Sequence, residues 1–188
     1  MLNMISHGHH SGTPLVIAHG LFGSGRNWGV IARRLSDKRR VITLDMRNHG
    51  SSPWLPDHSY AAMAADLSEV ITKIHEPIDL LGHSMGGKAS MLAALTNAPI
   101  RRLIIADIAP VAYEHTQQTL IDAMQALQLA DLNSRLDADA ALERTVNDPN
   151  VRSFLLQSLN LGECKWLLNL DVLSEFMPQI IGFPEISG

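Results

Sequence analysis

The sequence predicts an α/β fold: a parallel sheet with helices on both faces and a helical lid inserted after the fourth strand. Three observations carry that prediction. Short apolar runs alternate with helical patterns between residues 15 and 110, the pattern of consecutive strand–helix units. Gly82-His83-Ser84-Met85-Gly86 follows one such run and opens a helical pattern. From about Tyr113 strand-like runs become scarce and amphipathic helical spacing takes over.

Each element has its own warrant. Met1 to Pro14 is polar and His/Gly-rich and reads as a mobile terminus. His7, His9 and His10 could hold a metal there only weakly. Leu15-Val16-Ile17-Ala18 is a strand ending at His19-Gly20. Trp28, Ile31 and Leu35 recur at helical spacing. Arg33, Arg34, Lys38, Arg39 and Arg40 are expected to flank that helix's end, where cations favour the dipole. Val41-Ile42-Thr43-Leu44 is a second strand, ending at Asp45. Met63, Leu67, Val70, Ile71 and Ile74 mark one helix face, with Glu69 and Lys73 paired on its wet side. Ile78-Asp79-Leu80-Leu81 is a third strand running into the Ser84 motif. Ala89, Met91, Leu92 and Leu95 start the next helix, and Leu103-Ile104-Ile105-Ala106 is a fourth strand ending at Asp107.

Beyond Tyr113, Leu120, Met124 and Leu127 fit an amphipathic helix. Ser134 followed by Asp137 resembles a capping box. Asp148-Pro149 is an N-cap and N1 pair for a helix carrying Val151, Phe154 and Leu155. Val172, Leu173 and Phe176 mark another helical stretch, and Gly182 to Ile186 reads as a loop leaving the lid. The division expected is a core over 1–112 and a lid over 113–188.

Composition narrows the function classes. Hydrophobic content is 46% and charged content 18%, values of a globular chain rather than a disordered one. Net charge is −4 with no basic cluster, which argues against a nucleic-acid partner. No run reaches membrane-spanning length and no apolar signal segment opens the chain. The lone cysteine, Cys164, cannot form an internal disulfide; with the rest, this gives a cytoplasmic expectation.

The chemistry gathers at the strand ends. His19, Asp45, Ser84 and Asp107 all follow strands, and ligands of such sheets bind outside the carboxyl ends of the strands. G-x-S-x-G between a strand and a helix is the nucleophile elbow of serine hydrolases. A serine hydroxyl is a weak nucleophile until a base takes its proton. Small residues, Gly82 and Gly86, permit the tight turn, and the following helix aims its first amides at developing negative charge. The Met85 amide is expected to be one oxyanion donor. The other should come from His19-Gly20-Leu21-Phe22-Gly23, from Leu21 or else Phe22.

His19-Gly20-Leu21-Phe22-Gly23-Ser24, Asp45-Met46-Arg47-Asn48-His49-Gly50-Ser51-Ser52-Pro53, Gly82-His83-Ser84-Met85-Gly86-Gly87-Lys88 and Asp107-Ile108-Ala109-Pro110-Val111 resemble α/β-hydrolase esterases of the bacterial YbfF type. Their relatives include mitochondrial lipid and acyl-CoA hydrolases. The resemblance runs from Leu15 to the end of the chain and covers roughly the first three quarters of a family member. It implies the α/β-hydrolase fold with its C-terminal strands missing here, and a cytoplasmic esterase or thioesterase that needs no cofactor or metal. It also implies that the short N-terminus leaves little room for the two strands that usually open the fold. Ser84 would be the nucleophile and Asp107 the acid that orients a histidine, the other reading of Asp107 being a capping or loop residue. Asp45, Arg47 and His49 would hold a loop together, His19 would hydrogen-bond the oxyanion loop, His83 would pack, and Lys88 would be a solvated helix residue.

Family members deliver the base from a loop after two further strands. Here no histidine follows His115, and losing such a base costs on the order of a million-fold in turnover. The expectation is therefore a serine hydrolase of carboxylic esters or acyl thioesters, known from a chain truncated before its base and nearly inactive by itself. Two other readings stand beside it: an acyl-ligand-binding homologue without catalysis, and the same elbow used for acyl transfer, C–C hydrolysis or a lyase reaction. The partner expected in each case is a small acyl compound.

Overall fold

A computed structural model describes residues 1–9, 11–96 and 98–185. His10 and Ile186, named above, lie outside them. The five-stranded sheet has the order β1-β3-β2-β4-β5, built from β1 (Asn3–His7), β2 (Leu15–Ala18), β3 (Val41–Asp45), β4 (Ile78–His83) and β5 (Ile100–Ala106). All neighbours pair in parallel except β1, which runs antiparallel to β3 with Asn3 opposite Asp45.

β1 corrects the expected mobile terminus. Its apolar alternation is weak, and only its neighbour Leu2 is deeply buried. What holds it is the backbone ladder on β3, together with Asn3, whose amide donates to Ser52 Oγ and whose side chain donates to Asp45. Edge pairing of this kind leaves little trace in side-chain pattern. β5 starts three residues earlier than expected, at Ile100, because Arg101 is drawn alongside by Asp79.

α2 (Tyr60–Ile74) and α3 (Met85–Ala94) cover one sheet face, while α1 (Gly29–Leu35) covers the other. Alternation along β2 divides the work: Val16 and Ala18 join the larger core, Leu15 and Ile17 the smaller one with Ala32 and Val41. The expected α2 face is buried at Met63, Leu67, Val70 and Ile71, and Ser59 caps the helix by accepting from the Ala62 amide. α1 differs from expectation: Ala32 is its buried residue, while Ile31 and Leu35 are 45% and 39% exposed. Arg33 and Arg34 do lie in its last turn, but Arg39 pairs with Asp79 and Arg40 with Glu76.

The remaining helices are α4 (Gln118–Gln125), α5 (Arg135–Leu142), α6 (Pro149–Leu156), α7 (Leu170–Glu175) and α8 (Met177–Ile181). Ser134 caps α5 through the Asp137 amide, but Asp137 accepts from Asn133, so the box is only half closed. Asp148 caps α6 through the Asn150 amide, with Pro149 in the first turn. A small antiparallel pair, β6 (Leu159–Asn160) and β7 (Lys165–Trp166), interrupts them; at two residues each, these strands carry no readable pattern. One continuous apolar cluster joins these helices to α2, α3 and the sheet. No helix among the described residues is long and apolar enough to cross a membrane.

Candidate active site

Ser84 sits between β4 and α3 at φ 50°, ψ −121°, a conformation costly for any residue with a Cβ and characteristic of functional turns. The turn is possible because its neighbours are glycine. A Cβ on Gly82 would lie 2.5 Å from Gly86 O and Ser90 Oγ, and one on Gly86 would collide with the carbonyls of Ala18 and His19. The Ser84 amide donates to Ala106 O at 3.1 Å, tying the serine to the last residue of β5. Asp107 follows at φ 58°.

A cavity of about 710 Å³ opens at these strand ends, within the usual range for small-molecule sites. Ser84, Met85, Leu21, Phe22, Asp107, His83 and His115 all line it, so the expected site residues do come together. Its walls are mostly apolar, with Leu120, Val151, Phe154, Ile180 and Ile181 contributed by the later helices.

The two candidate donors in the first loop are distinguished by their partners. The Phe22 amide donates to His49 Nε2 at 3.2 Å, so it is committed away from the cavity. The amides of Leu21 and Met85 meet no protein acceptor among the described residues. Phe22 is fixed from its other side as well, since Ser158 Oγ donates to its carbonyl at 3.1 Å.

Behind this loop lie three buried imidazoles in a row, His19, His49 and His58, with centroids 5.1 and 5.6 Å apart. His19 accepts from the Met46 amide at Nε2 and donates from Nδ1 to Gly20 O at 2.7 Å, which is the expected bond to the oxyanion loop. His49 donates from Nδ1 to Arg47 O while accepting from Phe22. His58 accepts from Asn48 Nδ2 at Nδ1 and places Nε2 3.4 Å from Met85 Sδ. Burial pushes His19 and His58 down to about 4 and His49 well below the usual histidine range. All three are neutral, and their ring nitrogens are occupied.

The loop after β3 is structural, as expected. Asp45 accepts from the amides of Gly25 and Ser51, and Arg47 forms a two-pronged pair with Asp66 at 2.6 and 2.8 Å. His83 packs edge-on to Trp28 and holds Nε2 4.0 Å from Asp107 Oδ2. The Asp107 side chain is 91% exposed. His115 lies edge-on to Tyr113.

Lys88 overturns its expected role. It is 1% exposed, buried between α3 and the end of α8, and burial lowers its pKa. Gly86, Gly87, Ala89 and Ser90 around it are small, the mark of a helix packed closely on all sides; that was the available signal. Tyr60, whose phenol is pushed up by burial, also lines the cavity, and nothing in the sequence marked it. Among the described residues no cluster of metal-ligating side chains occurs.

The sequence profile of the alpha/beta hydrolase family matches residues 15–186. The chain is 41% identical over 182 residues to esterase YbfF of Escherichia coli (strain K12), spanning 94% of this chain and 70% of that one. It is 39% identical over 183 residues to the sn-1-specific diacylglycerol lipase ABHD11 of Mus musculus, spanning 91% of this chain and 60% of the relative. Among solved structures, a marine microorganism esterase superposes with a TM-score of 0.90 at 35% identity, covering all of this chain and 75% of that one.

Proposed function

This chain belongs to the alpha/beta hydrolase family, and we propose that it is a serine hydrolase acting on carboxylic esters or acyl thioesters. The observation that carries the reading is the strained Ser84 turn at an apolar cavity, with the Leu21 and Met85 amides left without protein acceptors. Ser84 Oγ attacks the carbonyl carbon as its proton passes to a base. The two amides take up the charge on the carbonyl oxygen, and collapse expels the alcohol or thiol to leave an acyl-serine. Water then repeats the sequence and releases the acid. Asp107 orients and stabilises the base. Residues 113–188 act as a lid that shapes the acyl cavity over the 1–112 core. The free Cys164 accords with a reducing, cytoplasmic setting.

The base in this reading is a histidine from outside residues 1–188. The buried trio is occupied, His83 faces Asp107 and Trp28, and His115 packs on Tyr113. On this reading Ser84 has no general base within the 188 residues. The same observation favours a second reading, an acyl-binding homologue without turnover.

Fluorophosphonate labelling read by intact mass tests both. The 188-residue chain is expected to take up almost no label. A form extended by a histidine-bearing C-terminal segment is expected to label and to hydrolyse acyl esters, with Ser84→Ala abolishing both. Hydrolysis unaffected by Ser84→Ala would sink the nucleophile assignment. Rapid labelling of the 188-residue chain would overturn the missing base. Saturable acyl binding with no turnover in the extended form would establish the second reading.

A further inference from the structure

The cation one turn from Ser84 pairs with carbonyls and not with a carboxylate among the described residues. Lys88 lies one turn beyond Ser84 on α3, its amide bonded to Ser84 O at 3.1 Å. Its Nζ donates to Ile181 O at 3.0 Å and Gly182 O at 2.5 Å and lies 4.9 Å from the centre of the Tyr113 ring. No carboxylate reaches ion-pair distance of it among the described residues. Ile181 O is the last carbonyl of α8, which a helix leaves without an internal donor and at its negative dipole end, and Gly182 O belongs to the extended residue that caps it. Tyr60 completes the contact by donating to Ile180 O at 2.7 Å, as does the Tyr113 amide to Ile181 O at 2.9 Å.

We propose that Lys88 is a positioning residue: its ammonium clamps the end of α8 to the nucleophile helix and so fixes the Ile180–Ile181 wall of the cavity relative to Ser84. A buried ammonium compensated by dipoles and aromatic rings adds little stability, and an apolar side chain of similar length commonly serves as well or better. What the charge adds is direction. The last carbonyl of α8 and that of its capping residue converge on one point, and that point is carried by the helix that Ser84 caps. A wall held there grips an acyl chain in constant register with Ser84; a wall released from it does not. The cavity's being an acyl site rests on the proposed function, while the clamp itself does not.

Hydrogen exchange by mass spectrometry tests the clamp without any ligand. In Lys88→Met the chain is expected to fold while amides between residues 178 and 185 exchange at least roughly tenfold faster, the scale of one charge-assisted hydrogen bond. The ammonium can be restored by aminoethylating Lys88→Cys in a Cys164→Ser background, which is expected to return exchange to the starting rate. Binding of a dansyl-labelled fatty acid should weaken in parallel by about fivefold or more. Unchanged exchange in folded Lys88→Met overturns the clamp. Should Lys88→Met not fold, the unmodified and aminoethylated forms of Lys88→Cys decide by the same readout. A starting protein that binds no dansyl fatty acid, yet shows the exchange change, sinks the acyl reading and leaves the clamp standing.

Discussion

His19, His49 and His58 make the loop beside the nucleophile sensitive to acid. Each is neutral when folded, and each would take a proton near the ordinary histidine value of 6.5 once unfolded. Between that value and about 4 the unfolded chain binds more protons, so stability is full above pH 6.5 and falls as the pH drops through this window. The loss is on the order of 1–3 kcal/mol each for His19 and His58, and His49 acts in the same direction. Thermal melting followed from pH 7.5 to 4.5 should show it, and a flat melting temperature would refute it. Glycine sets a second limit at this scale. Gly82→Ala is expected to cost about 1–3 kcal/mol or more, since the added methyl meets Gly86 O and Ser90 Oγ at 2.5 Å; urea denaturation measures it. That Ser84, Met85, Leu21 and Asp107 would line one cavity was readable because each sits at a fixed offset from a strand end. Lys88 and the Phe22 amide were not, because the carbonyls of Ile181 and Gly182 and the His49 ring that define them lie far away in sequence.

Among the elements, those with periodic apolar faces and capping residues declared themselves. β2, β3, β4, α2 and α6 fall where their apolar residues and caps place them. Asp148→Ala is expected to cost about 1 kcal/mol by leaving the Asn150 amide unsatisfied, read as a shift in the urea midpoint at constant slope. β1 was illegible because it is held by backbone pairing at the sheet edge, and β6 and β7 because two residues each are too short to show a period. The helical spacing of Trp28, Ile31 and Leu35 was real, yet the sheet takes Ala32 instead. Periodicity identifies a helix without saying which of its faces meets the core.

At the scale of the whole molecule, apolar surface is unevenly covered. Val30, Ile31 and Leu35 of α1 and Leu103 and Ile104 of β5 are all substantially exposed, and β5 is a sheet edge. Exposed edges and apolar patches promote association. The 188-residue chain is expected to sediment as a concentration-dependent mixture, and Ile31→Glu combined with Leu103→Glu should shift it toward monomer. A strictly monomeric starting protein would contradict this. The later helices are joined to the core by main-chain bonds: Gly50 donates to Leu167 O at 2.7 Å, Asn169 donates to Asn48 O at 3.0 Å, and His49 bridges to Leu168. The same His49 receives the Phe22 amide, and Ser158 holds the Phe22 carbonyl. Residues 113–185 are therefore not a cassette that recombination can exchange freely. A chimera taking residues 113–185 from a relative must keep a hydroxyl at Ser158 to hold the Phe22 carbonyl, and a backbone that meets Asn48 and Gly50 in the same register.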